Sequence, residues 1–126
     1  MILGVGTDLC RIERIAKAME NPRFAARIYT SAELVRMEGL CPERQAERAA
    51  GMFAAKEAVA KALGTGFSGF GFADIEILAD EKGQPFVRLR GGAAALAGDV
   101  NVHLSISHDG GLAQAFAVIE AKGGLQ

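Results

Sequence analysis

Glu57 and Lys61 stand four residues apart in residues 51–66, a segment that reads as a helix ending at Gly64. Residues at i and i+4 share a helix face, so a carboxylate and an ammonium are presented together. Such a pair is either an ordinary surface ion pair or a metal ligand beside a phosphate anchor. A second acid, Asp8, lies near the end of an apolar segment beside Gly6 and Thr7. A carboxylate there can cap the following helix. Paired with Glu57, it would instead supply two hard oxygen ligands. Magnesium is commonly held in this way, with water and substrate phosphate completing the shell. Lys61 would then meet phosphate charge as a cation. His108 ends an alternating segment just before a turn, at a strand mouth where side chains face a cleft rather than the core. The Gly64-Thr65-Gly66 turn can approach a phosphate closely, because glycine lets the backbone come near. Ser105 and Ser107 read as strand-bonding hydroxyls rather than nucleophiles. His103 and the two cysteines, Cys10 and Cys41, show no metal-ligand spacing.

These residues need elements to hold them. Residues 2–9 are apolar with Gly4 and Gly6 interspersed, which suits a buried strand making close backbone contacts. Ile12, Ile15, Ala16 and Met19 have helical spacing, and Asn21-Pro22 ends that helix. Residues 24–28 form another helical turn, and Thr30-Ser31 offers caps for a helix through about Glu38. Pro42 fits the first turn of the longest helix, which runs to about Leu63 with Met52, Ala55, Val59, Ala62 and Leu63 on its apolar face. Gly64 is placed to cap it. Four glycines in residues 64–71 predict a mobile loop. Residues 73–79 and 85–90 read as strands joined by a turn, with Ile75 and Ile77 inward. Residues 91–98 read as a short helix. Residues 102–108 alternate Val102, Leu104 and Ile106 against His103, Ser105 and Ser107, and Asp109-Gly110-Gly111 turns the chain into a last strand over 112–120. Residues 123–126 read as a frayed tail.

A chain of 126 residues, half of them hydrophobic and 23% charged, fits one globular domain over residues 1–126. The net charge of −1 gives no global signal for nucleic acid. No apolar run approaches the roughly 20 residues that span a bilayer, and the start lacks the pattern of a signal peptide. Two isolated cysteines suit a reducing, cytoplasmic setting. Charge is uneven, however. Arg11, Arg14, Lys17, Arg23 and Arg27 face only Glu13 and Glu20, a local charge of +3. That run is either a solvated helix face or a docking patch for an acidic partner.

Three separated blocks resemble one family, the holo-acyl-carrier-protein synthases. Residues 4–15 resemble the family's opening. Phe53-Ala54-Ala55-Lys56-Glu57-Ala58, with Lys61 and Leu63-Gly64-Thr65-Gly66, resembles its central helix. Leu104-Ser105-Ile106-Ser107-His108 followed by residues 113–120 resembles its closing hairpin, and Gly83-Gln84-Pro85 fits its G-x-P turn. The resemblance covers essentially the whole chain. It implies the α+β 4′-phosphopantetheinyl transferase fold, a mostly antiparallel sheet packed against a long central helix and shorter helices. It implies transfer of 4′-phosphopantetheine from coenzyme A to a serine of apo-acyl carrier protein, releasing adenosine 3′,5′-bisphosphate and supporting fatty acid biosynthesis.

By position, Asp8 and Glu57 match the family's magnesium ligands, Lys61 a coenzyme A phosphate contact and His108 a residue of the nucleotide site. Gly64 and Gly66 fall on the glycine turn beside them. The family's typical assembly is a trimer with the site between subunits, and Arg14, Arg23 and Arg27 match the region that docks the acidic carrier. Two departures stand out. Met52 occupies a position where the family usually has arginine, so another cation must substitute; Arg48, one helical turn earlier, is the candidate. The basic residues before the central helix are also thinned, to Glu43, Arg44 and Gln45. Competing readings are a non-catalytic coenzyme A module, which would not need paired acids, and a structural trimer that binds no ligand. A broad-specificity transferase for secondary metabolism is a further one, but such enzymes tend to be about twice as long.

Overall fold

The computed structural model describes residues 1–123 and opens on strand β1 (Ile2–Arg11). Three short helices follow, α1 (Ile12–Ala18), α2 (Pro22–Ile28) and α3 (Ser31–Val35), and then the long helix α4 (Pro42–Ala62). A 3-10 turn at Phe72–Asp74 leads into a hairpin of β2 (Ile75–Ala79) and β3 (Pro85–Leu89). Helix α5 (Gly91–Ala97) and the long hairpin of β4 (Val100–Asp109) and β5 (Leu112–Ala121) complete the chain. Of the tail expected to fray, only Gly123 falls among the described residues.

Local chemistry accounts for the starts of α2, α3 and α4. Pro22 and Pro42 open α2 and α4, where the missing N–H costs nothing. The Asn21 side chain accepts from the Arg23 N–H at 2.9 Å. At α3, Thr30 and Glu33 cap one another: the Glu33 N–H donates to Thr30 Oγ1 at 3.2 Å and the Thr30 N–H to Glu33 Oε1 at 2.8 Å. The helix expected to reach about Glu38 stops at Val35. Beyond it, Met37 and Glu38 bond to carbonyls three residues back, tightening the chain toward Gly39 at φ +77°. The strand expected from residue 73 starts at Ile75, because the Asp74 carboxylate accepts from the Gly71 N–H at 3.3 Å and holds a 3-10 turn.

The main sheet is antiparallel in the order β1-β5-β4. Asp8 stands opposite Ala115 on β5, and His108 opposite Ala113, so the two lie on opposite edge strands with β5 between them. Helix α4 crosses the inner face. It is buried almost all round, from Ala49 to Ala62. It comes this close because the strands turn their smallest residues toward it. Ala113, Ala115 and Ala117 are fully buried, and a Cβ on Gly4 or Gly6 would run into the Ala62 or Ala58 carbonyl of α4.

The bulk sits on the other side. Leu3, Val5, Leu9, Leu112 and Phe116 are exposed on the outer face. Strand β1 is therefore buried on its glycine face alone, which corrects the expectation of a wholly buried strand. At the end of the glycine-rich loop Phe67 stacks on Phe72 at 4.0 Å and Phe72 on Phe53 of α4 at 5.4 Å between ring centroids.

Candidate active site

Asp8 sits on the inner face of β1 between Gly6 and Cys10, looking toward α4. Its side chain is 16% exposed. Lys61, on the last turn of α4, reaches back to it: Nζ lies 3.2 Å from Asp8 Oδ1 and donates to the Thr7 carbonyl at 2.9 Å. The ammonium has three protons, so one is left for a ligand. Among the described residues Lys61 pairs with Asp8 and not with Glu57, although it shares a helix face with the latter. Glu57 stands one turn earlier, half-buried. Burial pushes its carboxyl above the ordinary value, and the charge on Asp8 pushes the same way, while Lys61 and Arg14 pull it back. Asp8, Glu57, Lys61 and Arg14 thus form a compact charged cluster.

Cys10 lies behind this cluster. Its thiol donates to the Ala50 carbonyl at 3.5 Å, and burial and then Asp8 push its pKa up, which makes it inert rather than nucleophilic. No group of three or more histidine, cysteine, aspartate or glutamate side chains able to hold a metal occurs among the described residues. Two carboxylates are nevertheless a sufficient protein contribution for magnesium, which keeps several waters and takes substrate phosphate oxygens. The donor set fits that ion.

Gly64 and Gly66 follow directly, at φ +87° and +60°, with nothing within 4 Å of a Cβ at either position. Backbone angle, not crowding, is what calls for glycine there, and the turn is open to solvent.

Arg48 and His108 are elsewhere. They line a pocket of about 400 Å³ on the opposite side of α4, together with Arg36, Arg44, Glu47 and Met52. His108 Nε2 lies 3.9 Å from Glu47 Oε1, and Arg48 Nη1 donates to the Arg36 carbonyl at 2.8 Å. No residue of the Asp8 cluster lines this pocket. One chain thus brings Asp8, Glu57 and Lys61 together with the glycine turn, and brings Arg48 together with His108, but does not join the two groups. Arg14, Arg23 and Arg27 are exposed on α1 and α2, while Ile15 is buried and Phe24 half-buried on the inward side.

The family model described as the 4′-phosphopantetheinyl transferase superfamily matches residues 4–117. The chain belongs to this superfamily. A holo-[acyl-carrier-protein] synthase of Clostridium novyi is 49% identical over 124 residues, covering 95% of this chain and 88% of that protein. One from Methylobacterium radiotolerans is 44% identical over 134 residues, covering 96% and 95%. Among solved structures, the synthase of Bacillus anthracis in complex with CoA (3′,5′-ADP) superimposes with a TM-score of 0.85 at 39% identity, covering 97% of this chain and 99% of that one. The Helicobacter pylori synthase in complex with coenzyme A gives 0.80 at 30% identity, covering 92% and 99%. The transferase fold expected from the three sequence blocks, an antiparallel sheet on a long central helix, is the fold found.

Two features of this transferase escape a reading of the sequence. Arg36 lines the pocket because its guanidinium bonds the Ile77 carbonyl, 41 positions away in the chain, and no local pattern signals that. Lys56, adjacent to Glu57, is fully buried against Glu33 rather than turned to solvent. Only the contrast between one lysine inside an alanine-rich helix face and the apolar residues around it hints at a buried partner.

Proposed function

We propose that the protein transfers 4′-phosphopantetheine from coenzyme A to a serine of apo-acyl carrier protein, with Asp8 and Glu57 holding magnesium and Lys61 meeting the pyrophosphate. The observation that carries this reading is the grouping of Asp8 on β1 with Glu57 and Lys61 on α4, where Lys61 Nζ lies 3.2 Å from Asp8 Oδ1 and the Asp8 charge acts on Glu57. In the reaction the serine oxygen bonds to the pantetheine-side phosphorus, the pyrophosphate P–O bond breaks, and adenosine 3′,5′-bisphosphate leaves with the electron pair. Magnesium, when bound, would offset charge developing on the pyrophosphate oxygens. Lys61 adds to this through its remaining N–H. Glu57 is placed to take the serine proton, since a carboxylate oxygen not engaged by the cation can accept it. The G64–G66 turn lets backbone approach the phosphates, and the basic pocket of Arg48 and His108 takes the nucleotide end. Cys10 and Cys41 are free thiols, which supports a reducing, cytoplasmic setting. One buried cluster runs through the described residues and supports a single domain. No helix among them is long and apolar enough to cross a membrane.

Coenzyme A must reach both halves of the site, and in one chain α4 stands between them. A homotrimer with the site between neighbouring subunits resolves this. The exposed outer sheet face supports it, since large apolar side chains such as Val5, Leu9 and Phe116 gather where a monomer would carry polar ones. Sedimentation is expected to give the mass of three chains, and a fully active monomer would rule this assembly out.

Carrier proteins are acidic, and Arg14, Arg23 and Arg27 stand on exposed helix faces. Complementary charge of this kind acts on encounter rate and is screened by salt. Arg14→Glu is expected to raise the KM for carrier protein severalfold and leave the KM for coenzyme A unchanged, and rising ionic strength should reproduce that selective loss. Joint movement of both KM values would assign the stretch to the coenzyme A site or to assembly instead.

A further inference from the structure

The pocket lined by Arg36, Arg44, Arg48 and His108 holds more positive charge than its surroundings balance. Its single carboxylate, Glu47, faces His108 at 3.9 Å. Among the described residues no carboxylate lies within ion-pair distance of Arg36, Arg44 or Arg48. The arginines are nevertheless held close. Arg48 Nη1 donates to the Arg36 carbonyl at 2.8 Å, and Arg36 Nη1 donates to the Ile77 carbonyl at 3.0 Å and contacts Met52 Sδ at 3.6 Å. Burial first, and then the neighbouring charge of Arg48, work against the Arg36 cation, with Glu33 partly opposing them. Like charges gathered without counter-ions make a preformed site for an anion.

Arg36 differs from the other two arginines in being fixed. Arg44 and Arg48 are exposed on α4 and reach the pocket from its rim. The guanidinium of Arg36 is half-buried against the wall, and the hydrogen bonds that anchor it use Nη1 alone. The Nη2 and Nε donors form the other edge of the fork, the edge that meets two oxygens of a phosphate at once. Coenzyme A carries two kinds of phosphate, a diphosphate and a 3′-phosphomonoester. The diphosphate is matched by the paired carboxylates and Lys61, where a bridging cation fits. A dianionic monoester calls for several cations in excess of any carboxylate, and this pocket offers three arginines and His108 against Glu47, which among the described residues pairs with His108 and with none of the arginines.

We propose that Arg36, steadied by Ile77 and Met52 and assisted by Arg48, binds the 3′-phosphomonoester of coenzyme A and sets the preference for coenzyme A over its 3′-dephospho form. This rests on reading the pocket as the nucleotide end of the site. The residue is a specificity determinant and touches no reacting atom.

Titration calorimetry with coenzyme A and with 3′-dephospho-coenzyme A tests it on the intact protein. Wild type should bind coenzyme A at least about tenfold more tightly, given what a charge-assisted hydrogen bond contributes. Arg36→Gln should weaken coenzyme A by about ten- to a hundredfold and leave the dephospho form within about twofold. Arg36→Lys keeps a cation and a donor for the Ile77 carbonyl but loses the fork, so it should show a smaller loss confined to coenzyme A. It also serves if Arg36→Gln melts too low to assay. Lys61→Gln should weaken both ligands alike. If the Arg36 variants weaken both ligands equally, or neither, the assignment is overturned. If wild type itself does not distinguish the two ligands, the reading of the pocket as the nucleotide end falls, and the role of Arg36 with it.

Discussion

Glu57→Gln is expected to lower phosphopantetheine transfer by at least about a hundredfold, the scale on which removing one preorganised electrostatic group acts, while raising thermal stability. Asp8→Ala should lose activity on the same scale. Among the described residues Asp8 bonds only Lys61 through its side chain, and it lies on an edge strand of the sheet, so its removal leaves the core untouched. The stability gain for Glu57→Gln follows from the sign of its shift. Burial and Asp8 raise its pKa in the folded protein above the ordinary value. The charged form is thus disfavoured by folding, and wild type is penalised at neutral pH, where the group must ionise. As pH falls through the raised pKa toward 4.5, both folded and unfolded chains become protonated and the penalty disappears. Glutamine carries no such penalty at any pH. Melting curves without metal should therefore place Glu57→Gln above wild type near pH 7 and level with it near pH 4. Full activity in either variant, or a stability gain that persists unchanged at low pH, would remove the paired-carboxylate assignment.

Lys56→Met is the second large effect, and it falls on stability. The Lys56 ammonium and the Glu33 carboxylate are both 0% exposed and lie 2.8 Å apart. Lys56 also donates to the carbonyls of Phe72 and Ile75, at 3.1 and 2.7 Å, and Glu33 accepts from the Ile77 N–H at 2.6 Å. The pair thus joins α3, α4, the end of the glycine-rich loop and β2. Burial lowers the lysine pKa, and the charge and hydrogen bond of Glu33 partly oppose that. Removing one member of a buried pair strands the other, at about 3–5 kcal/mol. Urea unfolding should show that loss for Lys56→Met. Adding Glu33→Gln should recover part of it, because the stranded charge is then gone. A loss below about 1 kcal/mol would mean that the pair is incidental.

The sequence made the covalent neighbours of the site legible and its distant ones not. The ends of α4 follow from Pro42 at its first turn and Gly64 beyond its last, and the inward and outward sides of β4 follow from strict alternation at 102–107. Asp8, Glu57 and Lys61 could be proposed together because residue type and helical spacing restrict what they can do. Arg36 could not, since its role depends on Ile77 and Met52, which only the fold brings near. The division of the site between two sides of α4 was hidden for a similar reason. It arises from the strand order β1-β5-β4, which puts Asp8 and His108 on opposite edges. An apolar β1 also reads as buried in sequence, whereas its glycines pack inward and its large residues stay exposed. Periodicity gives the alternation but not which face a partner covers.

Mass spectrometry of an apo-acyl carrier protein incubated with the protein, coenzyme A and magnesium tests the central claim most directly. The expected product carries one phosphopantetheine on a serine, forms with an equal amount of adenosine 3′,5′-bisphosphate, and is absent when a chelator is added. A carrier that stays unmodified under these conditions, or one modified equally well in the presence of chelator, would contradict it.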